Sequence, residues 1–182
     1  DAVLTVDGAY KAADFINFCD AYDIPVLSLT NVKGYATDVR SEKSIAKAVA
    51  KLTYAFANAN VPKVNVITGE AYGSAYVTMN SKALGADVTY AWPDASIGMM
   101  DANEAAKIMY ADDIAKSADV QSVISEKAAE YAALQSGVES AAARGYVDTI
   151  INPEDTRKYV AAAFEMLYTK REDRPDKKHG TV

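Results

Sequence analysis

Residues 66–80 read VITGEAYGSAYVTMN, a β-branched run, a glycine-containing turn and a helix start near Ser74, with no His, Cys or Lys among them. Chemistry in such a stretch falls to the backbone. The first N–H groups of a helix lack internal partners, and the helix dipole adds positive potential at that end. A strand–turn–helix passage through Gly73, Ser74 and Ala75 therefore aims several amides at one point, an anion site that acyl chemistry uses as an oxyanion hole. Gly73 has no Cβ, so a planar substrate can approach the backbone closely. Tyr72 and Tyr76 flank the turn, candidates for lining a pocket or for packing, and Glu70 is the nearest carboxylate. The same small residues also serve plain close packing of a turn on a helix, and the pattern alone leaves both readings open.

Side-chain catalysis finds little support elsewhere. If Ser74 were a nucleophile it would need a base, and the sole histidine, His179, lies in a charged tail. The one cysteine, Cys19, falls on an apolar helix face and reads as core; a single Cys excludes an internal disulfide and a Cys-based zinc site, so no metal is expected. No GxGxxG fingerprint marks a dinucleotide site. Trp92 with Pro93 reads as a strand end, and Asp101 and Glu104 read as acids at a helix start.

The elements that must position the turn alternate between strand and helix. AVLTV opens as a strand, followed after Gly8 by a helix carrying Ala12, Phe15, Ile16, Cys19 and Tyr22 at helical spacing. Pro25 ends that helix, VLSLT is the next strand and NVKGYATDVR a loop. Ser41 then caps a helix with Ile45, Val49, Leu52 and Phe56 on one face. KVNVIT, VTYAW, SIGMM and YVDTII read as further strands. Helices are predicted over 102–110, 119–135 and 138–144, the last stopped by Gly145, and from Asn152–Pro153–Glu154 to about Lys170. Such alternation predicts βα units and a largely parallel sheet in one α/β domain over 1–182.

Composition narrows the classes. The 182 residues are 50% hydrophobic and 24% charged, a folded rather than disordered composition. A net charge of −6 argues against general nucleic-acid binding, and the basic run Lys170, Arg171, Arg174, Lys177, Lys178 reads as a solvated end. No apolar run reaches the ~18 residues of a membrane span and no basic-then-apolar leader opens the chain, so a cytoplasmic protein without membrane insertion is expected. Asp1 followed at once by a strand reads as a chain cut from a longer polypeptide.

AYGSAY followed by Met79, SKALGAD and YAWPDASIGMM resembles the C-terminal half of the biotin-dependent acyl-CoA carboxyltransferases. That family includes propionyl-CoA and acetyl-CoA carboxylase β subunits and methylmalonyl-CoA decarboxylase α subunits. KAADFINFCDAYDIPVLSL, KLTYAFANANVPKVNVIT, RGYVDTIINPEDTR and RPDKKHG extend the resemblance, in order, over about residues 4–180. It implies a crotonase-like (ClpP/crotonase) spiral of ββα units, here the biotin-side carboxyltransferase domain of a two-domain chain. It also implies transfer of a carboxyl group between carboxybiotin and a short-chain acyl-CoA such as propionyl-CoA or acetyl-CoA. The cofactor is biotin on a separate carrier protein or domain. The implied partners are acyl-CoA, the N-terminal carboxyltransferase half, the biotin carboxyl carrier and further copies in an oligomer.

In the family the biotin ureido anion is thought to act as base, which leaves the protein to supply two oxyanion holes. The resemblance assigns the biotin one to the backbone amides of Ser74 and Ala75, with Gly73 giving room, and places Gly34 and Tyr35 in cofactor binding. Val77 and Tyr76 fall in the substrate pocket. Because the family's site lies between halves of different subunits, the isolated chain is expected to lack turnover. Several positions depart from the family pattern. Ser74 stands where a second glycine is usual, Lys33 replaces the usual proline before Gly34, and MDANEAA with Asp101 and Glu104 replaces MGAxGA. Three other classes remain: a biotin-dependent decarboxylase α subunit, a crotonase-type hydratase or isomerase using Glu70, and a catalytically silent assembly domain.

Overall fold

The computed structural model describes residues 2–117 and 119–173. The sheet is organised around one long strand, β4 (Lys63–Tyr72). β2 (Val26–Val32) lies along one side of it in parallel, Val26 to Thr30 facing Lys63 to Ile67. On the other side β4 has two successive partners. β5 (Val88–Ala91) pairs with Val64–Ile67, and β6 (Ser96–Gly98) pairs with Glu70–Tyr72. β7 (Thr149–Ile150) continues beyond β5, and all these pairings are parallel, as the alternating pattern predicts. The register slips between Thr30 and Val32, so Thr68 to Glu70 bulge out of the ladder. Asn31 holds the bulge: its Oδ1 accepts the Glu70 N–H at 3.0 Å, and a Cβ on Gly69 would come within 2.8 Å of that oxygen. The bulge lets β4 leave β5 and take up β6.

Two helices cover one face. α1 (Val6–Ala21) begins earlier than predicted, and the opening strand shrinks to β1 (Val3–Leu4). The reason is local: the Thr5 hydroxyl accepts the Gly8 N–H at 3.1 Å, so Gly8 lies inside the helix rather than before it. Phe15 and Tyr22 of α1 point outward, at 60% and 67% exposure, while Ala13, Ile16 and Cys19 face the core. The predicted loop after β2 contains β3 (Gly34–Tyr35), which pairs with β1 in a small second sheet. α2 (Val39–Asn58) is capped by Asp38, not Ser41. Asp38 Oδ1 accepts the Arg40 and Ser41 N–H groups at 3.0 Å, and its other oxygen accepts the Ser41 hydroxyl. That hydroxyl bond, chiefly, holds the Asp38 carboxyl below its usual range.

Leu52, Ala55 and Phe56 of α2 join Ile16, Val26, Ile67 and Ala91 in the main core. At the C-terminal end of α2, the wholly buried Lys63 donates to the Phe56 and Ala59 carbonyls at 2.7 and 3.0 Å, satisfying groups the helix leaves unpaired. The other α-helices among the described residues are α3 (Gly73–Thr78), α4 (Ala102–Met109), an unforeseen α5 (Ala111–Lys116), α6 (Val120–Tyr131), α7 (Val138–Ala143) and α8 (Thr156–Met166). α6 ends in a π-helical turn over Ala132–Ser136, so the predicted single helix over 119–135 is two pieces. α8 closes the opposite face of the sheet, Val160 and Ala163 meeting Val64, Val66 and Tyr90.

Leu52→Ala removes a side chain with no solvent exposure from the main core and should lower stability by about 2–5 kcal/mol. Phe15→Ala, on the outer side of α1, should change it by less than about 0.5 kcal/mol. Urea unfolding of both variants checks the contrast.

Candidate active site

β4 passes into α3 without a connecting loop. Tyr72 ends the strand in extended conformation, and Gly73 turns the chain with φ +59°. A Cβ at Gly73 would also meet the Met99 carbonyl at 3.0 Å, so both backbone conformation and space call for glycine. The end of β4 is anchored sideways: the Tyr72 hydroxyl donates to Ser96 Oγ at 2.9 Å, and Ser96 donates to the Ser136 carbonyl at 3.3 Å. No side chain caps α3. Gly73, Ser74 and Ala75 therefore present first-turn N–H groups without intrahelical partners. With α3 only six residues long, these individual donors matter more than a macrodipole.

Beside the turn lies a cavity of about 360 Å³, walled on one side by Gly73, Ser74, Tyr76 and Val77. Ile97, Gly98 and Met99, on β6 and just beyond it, form the second wall; Ala141, Arg144 and Tyr146, at the end of α7, form the third. Of the residues the sequence singles out, Ser74 is exposed at this cavity, Val77 is 39% exposed, and Ala75 packs its methyl into the core. Tyr76 is 7% exposed, and burial, with Tyr146 nearby, pushes its phenol up to about 12. Gly34 and Tyr35 sit on β3, which packs against α3, but neither lines the cavity. Glu70 turns away to Lys33 in an ion pair of 3.1 Å. That hydrogen-bonded carboxylate raises the Lys33 ammonium above its ordinary value.

The residues read as structural are engaged structurally. Asp101 caps α4 by accepting the Asn103 N–H at 2.9 Å, and Glu104 pairs with Lys107 at 2.8 Å. The Trp92 indole donates to Thr156 Oγ1 at 2.9 Å, and Cys19 is buried, which raises its thiol pKa. His179 and the RPDKKHG segment lie outside the described residues. Among the described residues no group of three His, Cys, Asp or Glu side chains is placed to hold a metal ion, and no helix is long and apolar enough to cross a membrane. Ile97, Met99, Arg144 and Tyr146 carried no site signal of their own, because β6 and α7 bring them to the turn from distant parts of the chain.

A parallel sheet whose central strand ends in a glycine-bent, donor-bearing turn over a cavity defines an α/β domain of the crotonase-like class, shared with carboxyltransferases of known structure. The chain belongs to the carboxyl transferase domain family, which it matches over residues 2–182. It is 50% identical over 180 residues to a putative propionyl-CoA carboxylase beta chain of Bacillus subtilis, covering 98% of this chain and 36% of that one. It is 43% identical over 178 residues to the methylmalonyl-CoA carboxyltransferase 12S subunit of Propionibacterium freudenreichii subsp. shermanii, covering 97% and 34%. A crystal structure of transcarboxylase 12S, described as a hexamer assembly with methylmalonyl-coenzyme A and methylmalonic acid bound, superposes with a TM-score of 0.93 at 42% identity, covering 98% and 34%. The chain thus spans about a third of the length of these relatives.

Gly73→Ala forces a Cβ into the left-handed region and toward the Met99 carbonyl, and should cost about 1–3 kcal/mol in urea unfolding. Tyr76 gives a pH signature. Its folded pKa of about 12 exceeds the ordinary 10.0, so its stabilising contribution is complete below pH 10 and is lost as pH rises towards 12. Wild-type stability should fall more steeply over that window than that of Tyr76→Phe, as read by denaturant unfolding at successive pH values.

Proposed function

We propose that the chain is the biotin-side, C-terminal half of an acyl-CoA carboxyltransferase, moving a carboxyl group between biotin and a short-chain acyl-CoA. The observation that carries the reading is the turn at Gly73, which ends the central strand and brings Gly73 and Ser74 to the cavity wall, with Ala75 next in the same uncapped first turn. Biotin, held on a separate carrier, supplies the carboxyl group and the base. The residues present fit such a group. Gly73 adds no side chain to the cavity wall, and Ile97, Val77 and Met99 give the apolar wall a planar ring system needs.

The Ser74 and Ala75 N–H groups would hold the ureido oxygen, a role for which fixed backbone donors suffice. The bulge clipped by Asn31 and the Tyr72–Ser96 bond fix where those donors point. Val77 shapes the acyl side of the cavity and Tyr76 its floor. Gly34 and Tyr35, on the strand packed against α3, are assigned to the biotin side. The N-terminal half, the biotin carboxyl carrier and further copies in a cytoplasmic homo-oligomer complete the assembly, in keeping with the hexamer described for transcarboxylase 12S. A hydratase would need Glu70 free at the turn; its pairing with Lys33 weighs against that reading.

The full-length enzyme tests the proposal. Ser74→Gly keeps the amide and should retain or improve carboxyl transfer. Ser74→Val adds bulk beside the donors and should cost roughly 2 kcal/mol or more in kcat/KM. A folded but inactive Ser74→Gly would end the backbone account. Light scattering of the full-length protein should show an oligomer, and a strict monomer at high concentration would contradict the assembly.

A further inference from the structure

We propose that Tyr76, Tyr146 and Arg144 form a side-chain donor set that recognises the carboxylate being transferred, a role that rests on the carboxyltransferase reading above. None of the residues lining the cavity is an Asp or Glu. What the three side chains offer is donation: two phenol O–H groups and one guanidinium. A cavity that donates and carries a positive charge fits a ligand with acceptor oxygens and a negative charge.

Tyr76 supplies a donor that the protein itself does not use. It is 7% exposed, yet its hydroxyl has no hydrogen-bond partner among the described residues. The other buried tyrosines do have one. Tyr72 donates to Ser96 Oγ at 2.9 Å, and Tyr90 donates to the Tyr159 carbonyl at 3.4 Å. The Tyr76 oxygen is not one of the fully enclosed unpaired atoms, so it is open at the cavity and free to donate to what enters it. Burial and Tyr146 keep the Tyr76 phenol protonated up to about pH 12, so near neutrality it donates and cannot serve as a base.

Arg144 is placed and not merely present. Its Nε donates to the Ser140 carbonyl at 3.1 Å, and Nη2 donates to Ser140 Oγ at 2.6 Å and to the Gln135 carbonyl at 2.7 Å. All three acceptors are neutral, and no carboxylate pairs with it among the described residues. The guanidinium is thus held in position with its charge uncompensated and Nη1 unengaged. Arg144 is exposed beside the apolar walls, so solvent screens part of its attraction for an anion. In the proposed reaction a carboxylate attached to a larger, partly apolar body occurs twice, on the carboxylated acyl-CoA and on carboxylated biotin.

Binding calorimetry on the full-length enzyme separates these sources. Methylmalonyl-CoA is compared with propionyl-CoA, and N-carboxybiotin methyl ester with biotin methyl ester, in wild type, Tyr76→Phe and Arg144→Gln. Each variant should weaken the carboxylated member of at least one pair roughly 10-fold and leave its partner within about twofold. The pair whose gap closes identifies which carboxylate the site holds. Tyr76→Phe keeps the ring and its packing, so it decides the matter even where Arg144→Gln, which cuts three bonds, fails to fold. Equal loss for both members of each pair, or no loss in either, overturns the donor set while wild-type carboxyl transfer leaves the functional reading standing. A wild-type enzyme that binds neither pair and transfers no carboxyl group overturns both.

Discussion

The structure depends on β4 having one neighbour on one side and two in succession on the other. β2 pairs with it on either side of the bulge of Thr68 to Glu70, where β5 gives way to β6. Because the last three residues of β4 pair with β6, the strand runs on past β5 and delivers Gly73 next to Met99. The Asn31 clip, the Tyr72–Ser96 bond and the left-handed Gly73 all serve that delivery. Chemistry based on backbone donors requires it, since amides cannot be re-aimed by choosing another rotamer.

The departures from the family pattern gain meaning from their placement. Lys33 and Glu70 satisfy each other in an ion pair, and Asp101 spends its carboxylate on the first turn of α4. None of these, nor Glu104, lines the cavity. Ser74 is the exception: it is exposed and lines the cavity. The acidic substitutions therefore load the surroundings of the site and spare its walls.

Much of this was legible in the sequence because it is local. Alternating strands and helices predicted a parallel α/β sheet, and the glycine-bearing junction after KVNVIT marked where the backbone turns. Boundaries moved where side-chain caps compete: Thr5 pulled the first helix forward over Gly8, and Asp38 displaced Ser41 as the cap of α2. β3 was read as loop because a two-residue strand has no periodicity to detect; it exists through pairing with β1. Likewise, RGYVDTIINPEDTR carries Arg144 and Tyr146 within the resemblance but gives them no site role, and only the packing of α7 beside β6 brings them to Tyr76 and Val77. Side chains joined by tertiary packing leave no spacing to read.

The central claim is that the backbone of this turn, and not a side chain, does the chemistry. Replacing the amide of Ala75 by an ester, with lactic acid in place of alanine in the full-length enzyme, deletes one N–H donor and leaves every side chain intact. The account predicts a fall in carboxyl-transfer rate on the order of 10²–10³ with folding preserved. A folded ester enzyme that turns over at the wild-type rate would contradict it.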